Sequence, residues 1–298
     1  MIDIIIPPHK RVSTLLREMF PLRAKPDPRE RSAAPRLRGP CAKRPLFDVL
    51  KERILASTFR LETSLSRRRD LSAEERTVLR SLPATRRTYA DGERIVEEGT
   101  APDGSCLLVE GMAIRAHRIG RSERVVSALH VAGDFVDLHS FLLSHIDHDI
   151  IAVGPCTIDF VAAEHLEAVT RDHSRLARLL WLETLIDAKI HRVWVAARAA
   201  LPGTQRVGHF ICELHARLGA AGLVYAGGFA MPLDQRGVAD VLGYSVVHVN
   251  HAVRDLRAER LLEWERGRVR LPDPDGLARY SSFDPAYLEL RKGAESTE

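Results

Sequence analysis

Asn250, His251 and Arg254 are side chains that read base edges when a helix presents them together. An asparagine amide pairs with adenine, and an imidazole or guanidinium pairs with guanine or a phosphate. Their spacing places them on one helical face with Val246 and Val247, whose methyl groups suit only thymine methyls. Ser245 and His248, at the start of the same stretch, are expected on phosphates.

The stretch that would present them, residues 235–254 (QRGVADVLGYSVVHVNHAVR), has the pattern of a helix-turn-helix. A small residue, Ala239, stands where two short helices must touch, and Gly243 stands at the tight turn that needs positive φ. Val249 is the branched side chain inserted between the helices, with Val238, Leu242 and Ala252 around it, and Ser245 is a cap for the second helix. An ordinary αα-hairpin is the alternative. Two short alternating runs follow, 261–264 and 268–271, separated by Glu265-Arg266-Gly267. They predict a β-hairpin, the wing of a winged helix, with Arg266, Arg268 and Arg270 beside phosphates. A solvated, arginine-rich hairpin is the plainer reading of the same residues.

Other chemistry is weakly supported. His139, His145 and His148 fall in one loop, with His117 and His130 near in sequence, and invite a metal or haem. Their spacing matches no established ligand motif. The four cysteines, 41, 106, 156 and 212, form no CxxC pair; Cys106 and Cys156 read as small buried hydrophobes. No nucleophile–base constellation is present, so the sequence predicts neither an enzyme nor a cofactor.

The chain has 298 residues, 45% hydrophobic content and a net charge of +4, which suits a soluble globular protein of several parts. No apolar run reaches membrane-spanning length, and the first residues hold too short an apolar stretch for a secretory signal. Cytoplasm is the expected compartment. Residues 1–70 hold 17 Lys/Arg against 8 Asp/Glu, an excess that the remainder reverses. Residues 1–67 therefore read as a basic Pro/Arg-rich extension, disordered to about residue 45, with a helix expected over 47–65. It is either a basic arm or the product of an early start codon, with Met19 as an internal alternative.

The elements that must position these residues come after it. Ser72 and Glu75 make a capping box at a helix start. Short β runs punctuated by glycine, from 86 to 160, suggest an antiparallel roll, assigned to 68–172. A long helix is expected over 173–201, its apolar stripe (Leu176, Leu179, Ile186, Ile190, Val193, Ala197, Ala200) broken only by Glu183. So narrow a stripe suits a seam between two subunits, with Leu179, Ile186, Ile190, Val193 and Ala197 as dimerisation residues. Packing on its own roll is the alternative. The DNA-binding domain is assigned to 202–272 and a tail to 273–298.

This order, with Gly92 and Gly99, LLVEGMAIR at 107–115, GDFVDLHS at 133–140, ICEL at 211–214, the Pro-Leu pair at 232–233, GYSVVHVN at 243–250 and FDPAYL at 283–288, resembles the CRP/FNR superfamily of transcription regulators. The resemblance spans about 68–290 and is greatest to a group with HVN in the recognition helix. It implies an α+β fold: an N-terminal cyclic-nucleotide-binding-like β-roll, a long dimerisation helix and a C-terminal winged helix-turn-helix. It further implies a homodimer on a palindromic double-stranded DNA site, RNA polymerase as a partner, and an unidentified signal at the roll. Cyclic-nucleotide members of the superfamily use an arginine in the loop after the Gly-Asp turn, whereas 138–149 (LHSFLLSHIDHD) contains none, which argues against that ligand. Cys41 alone cannot hold the iron–sulfur cluster of the oxygen sensors. The alternative from another class is a cupin-like β-barrel binding a metal or small molecule, with an appended helical domain.

Overall fold

The computed structural model describes residues 61–120 and 124–291. The expectations for 1–60, including the disordered extension, Cys41 and Met19, lie outside the described residues. Residues 61–66 are helical, and Leu61 and Leu65 are buried in the core of the roll, so the folded body starts before the expected boundary at 68. α1 (Ala73–Ser81) opens on the expected capping box: Ser72 accepts from the Glu75 amide and Glu75 from the Ser72 amide.

Two 14-residue strands, β3 (Gly104–His117) and β5 (Asp149–Ala162), pair antiparallel as the spine of the roll. β1 (Thr85–Tyr89) and β2 (Arg94–Val96) add to β5, and β4 (Val125–Val131) to β3. The Gly133-Asp134 turn closes the β4 end. Gly133 holds φ +102°, which a side chain rarely tolerates, and its amide donates to Leu108 O at 2.7 Å. A 3-10 turn, Ser140–Leu142, leads back to β5.

α2 (Ala163–Asp172) follows β5 directly, a helix inside the stretch that glycine punctuation assigns to the roll. α3 (Ser174–Ala200) is the long helix. Its apolar residues ring the helix rather than keeping to one side, and only their packing shows which of them face this chain. Leu176, Leu179 and Leu180 join the core with Phe135, Leu138 and Leu166. Ile186 and Ile190 pack with Leu288, and Ala197 is buried as well. The stripe assigned to a partner subunit is thus occupied by this chain, and Leu179, Ile186, Ile190 and Ala197 are not a free seam; Val193 is half-buried. Glu183, the polar break in the stripe, receives a forked pair of hydrogen bonds from Arg68 at 2.6 and 3.2 Å. The large apolar side chains that α3 leaves exposed are Trp181, Leu185 and Val195.

α4 (Gly203–Ala220) turns back along the roll and carries the helix-turn-helix, α5 (Gln235–Leu242) and α6 (Val246–Ala258). A small sheet of β6 (Gly228–Ala230), β8 (Arg268–Arg270) and β7 (Glu263–Glu265) flanks it. The expected tail is built into the body: α7 (Pro274–Tyr280) is capped by Asp273 and buries Leu277, and the 3-10 turn Pro285–Leu288 buries Leu288 against α3.

Roll and helical domain share one core, with Leu129 and Val131 beside Phe210 and Leu218. A buried polar network crosses it. Arg217 of α4 donates to Asp134 at 2.7 Å, to Leu129 O at 2.9 Å and to Glu213 at 3.0 Å. Glu213, fully buried, also receives Trp194 Nε1 at 2.8 Å and the Tyr287 hydroxyl at 2.7 Å. Removing one member of a buried ion network leaves the others uncompensated. Arg217→Met is expected to lower stability by about 3 kcal/mol, seen as an earlier urea unfolding midpoint.

Candidate nucleic-acid interface

The helix-turn-helix forms because its sequence satisfies both helix ends. Asp234 caps α5 by accepting from the Gly237 amide, and Gly243 ends it in the left-handed region at φ +66°. Ser245 caps α6, its hydroxyl oxygen accepting from the His248 amide at 3.2 Å. Val238, Ala239, Val249 and Ala252 are all essentially buried, as the motif requires of the faces that touch. The cost of fixing this geometry is offset by their burial, which leaves the opposite face of α6 to solvent.

That face carries most of the residues expected to read DNA. Val247, Asn250, His251 and Arg254 are exposed, Val247 by 64%, and Val246 is half-buried. An exposed valine at this position has no packing reason in the described fold. Arg254 shares Asp255 as an ion-pair partner at 3.1 Å, a surface contact that competes only weakly with a phosphate or base edge. His248 is exposed yet engaged: its ring stacks on Tyr244 with centroids 4.1 Å apart. It also abuts the first residue of α4, where a Cβ on Gly203 would lie 1.8 Å from the imidazole Nε2. Tyr244 thus covers one face of the His248 ring and Gly203 its Nε2 edge, which narrows the approach left to a phosphate.

The hairpin turns through Arg266 and Gly267, both at positive φ (49° and 73°), a two-residue connection whose twist matches its strands. Arg266 and Arg268 are exposed, and Arg268 also donates to Tyr225 O at 2.5 Å. Arg270 is different. Glu263 on the neighbouring strand takes its guanidinium in a fork at 2.6 and 2.7 Å, an exposed pair that a phosphate would have to share.

The histidines sort into three settings. His145 is exposed and His130 is buried apart, held down to about 3 by burial and by the Arg115 charge. His139 and His148 come together with His117 and with His191 of α3, a residue that sequence spacing does not single out. The ring centroids of His117 and His148 are 5.8 Å apart, and those of His139 and His148 are 6.1 Å apart. Among the described residues no group of three or more His, Cys, Asp or Glu is placed to hold a metal ion. Cys106, Cys156 and Cys212 are buried thiols, and burial pushes Cys212 up to about 12. No described helix is long and apolar enough to cross a membrane.

Two family descriptions match along the chain. Residues 86–173 match the cyclic nucleotide-binding domain and residues 205–280 the Crp-like helix-turn-helix domain. No curated protein matches the sequence significantly. Among solved structures the chain is similar to FixK2 from Bradyrhizobium japonicum, at 22% identity and a TM-score of 0.60, over 67% of this chain and 98% of that one. It is also similar to a CooA variant from Carboxydothermus hydrogenoformans, at 16% identity and a TM-score of 0.52, over 66% and 88%. A transcriptional regulator of the CRP/FNR family from Thermus thermophilus is similar at 14% identity and a TM-score of 0.50, over 66% and 98%. These likenesses establish the α+β fold, and the two matched domains, in this order on either side of the long helix, make the chain a CRP/FNR-type transcription regulator rather than a cupin-like protein.

Proposed function

We propose that this regulator binds a two-fold symmetric DNA site as a homodimer, with α6 in the major groove. The exposed face of α6, polar at Asn250, His251 and Arg254 and held by a fully buried opposite face, is the observation that carries the reading. Asn250 pairs with adenine, His251 and Arg254 with guanine or phosphate, and Val246 and Val247 meet thymine methyls. Ser245, His248, Arg266 and Arg268 fix the register on phosphates. We assign the chain to the group with HVN in this helix, at 248–250. RNA polymerase is its further partner and the cytoplasm its compartment. The loop 138–149, without arginine, disfavours a cyclic nucleotide as the signal.

The dimer forms along the outer face of α3, through Trp181, Leu185 and Val195. Three large apolar side chains at 66%, 46% and 72% exposure on one helix are the kind of patch that marks an association surface. This replaces the inner stripe, whose residues already have partners in the chain.

Selection of bound duplexes from a random pool tests the reading, and a palindromic motif is the expected product. Asn250→Ala and Arg254→Ala should each cost about 1–3 kcal/mol of discrimination at a single base position, measured by competition with substituted duplexes. Arg266→Ala should weaken binding to all sequences alike and reduce the salt slope by about one. In sedimentation, the double change Trp181→Glu with Leu185→Glu is expected to give a folded monomer with at least about tenfold weaker DNA binding. A dimer that survives it would move the interface elsewhere.

A further inference from the structure

The packing of two crossed helices accounts for Ala239, Gly243, Val249 and Ala252, but it gives no reason for an aromatic residue between the turn and the cap of α6. Tyr244 stands there. Its amide donates to Ala239 O at 2.9 Å, so the end of α5 fixes its backbone. Its half-buried ring lies against the core of the helical domain. Two further side chains stack on that ring. The Arg206 guanidinium carbon of α4 is 3.6 Å from its centroid, and the His248 ring of α6 is 4.1 Å away, 23° from parallel.

These contacts close a circuit between helices. Arg206 also donates to Leu242 O at 2.5 Å, at the end of α5. His248 reaches the first residue of α4, Gly203, where an added Cβ would fall 1.8 Å from Nε2. Residues 203 and 206 are about one helical turn apart and share a face of α4. The first turn of α4, the turn of the motif and the first turn of α6 are therefore bound into one stack. Arg206 is buried, and a cation over an aromatic face is worth most where water is excluded.

Val249, Ala252, Val253 and Leu256 hold α6 down, but apolar burial is non-directional, whereas stacked rings prefer a defined geometry. The lever is long. At about 1.5 Å per residue, Arg254 lies roughly 12 Å along the axis from Val246, so a tilt of about 10° at the first turn carries it about 2 Å. A hydrogen bond to a base edge does not survive such a shift. We propose that Tyr244 is a positioning residue for base reading. Through Arg206 and His248 it sets the angle at which α6 presents Asn250, His251 and Arg254, and Gly203 leaves the room that the His248 ring needs. The proposal rests on the DNA-binding reading above.

The test uses the full chain, a duplex selected by the wild-type protein, and copies of that duplex substituted at single base pairs. Gly203→Ala adds one methyl group, which takes the place of the His248 ring; alanine serves a helix at least as well as glycine, so the fold stands. Tyr244→Leu removes the stacking ring and keeps an apolar side chain, and Tyr244→Phe keeps the ring. Gly203→Ala and Tyr244→Leu should each lower the preference for the selected duplex over its substituted copies at least about tenfold. Binding to an unrelated duplex should change less than about twofold. The urea midpoint of Gly203→Ala should not move, and Tyr244→Phe should keep the wild-type preference. A wild-type preference in Gly203→Ala or in Tyr244→Leu overturns the proposal. So does a loss that falls equally on selected and unrelated duplexes, the mark of a loosened fold rather than a misaimed helix. A wild-type chain that selects no duplex refutes the DNA reading itself and the proposal with it, an outcome read before any variant is made.

Discussion

Arg217 is the constraint on which the geometry of the molecule rests. One guanidinium, nine-tenths out of solvent, joins the Gly-Asp turn of the roll through Asp134, the end of β4 through the Leu129 carbonyl, and α4 through Glu213. Glu213 in turn takes Trp194 of α3 and Tyr287 of the C-terminal turn. Four parts of the chain distant in sequence therefore meet at one guanidinium and two carboxylates inside a shared apolar core. A charge network of this kind contributes little net stability against an apolar replacement, but it tolerates only one relative placement of its members. α4, against which α6 packs, is tied to the roll through this cluster.

The surface that α6 and the hairpin offer to DNA mixes charge with apolar contact. Arg254 and Arg270 have exposed acidic neighbours, Asp255 and Glu263, that compete only weakly with DNA, and two valines occupy the first turn of α6. Such a face draws less on counterion release and more on hydrogen bonding and methyl contact, so base identity weighs heavily in its affinity. A cavity behind the turn is basic and part apolar, lined by residues of β3, β4, α3, α4 and α5 and of the loop before β5.

The helix-turn-helix is legible in the sequence because its positions are set locally: Ala239, Gly243, Ser245 and Val249 each answer a requirement of two crossing helices. The roll is legible from its glycine punctuation, and α1 from its capping box. The orientation of α3 is not. Its apolar residues surround it, so spacing finds the stripe through Leu179, Ile186 and Ile190 but not whether roll or partner faces it. The C-terminal segment reads as a tail because α7 and the 3-10 turn are short and borrow their stability from Leu277 and Leu288 packing into the body. His191 escapes a reading by spacing for a related reason: only the packing of α3 brings it to His139 and His148.

A hydroxyl-radical footprint of the protein on a selected duplex tests the central claim most directly. A dimer that places one α6 in each of two successive major grooves predicts paired protections on both strands, related by two-fold symmetry and centred about 10 base pairs apart. A single unpaired protection, or uniform weak protection along the duplex, would contradict a symmetric groove-reading regulator.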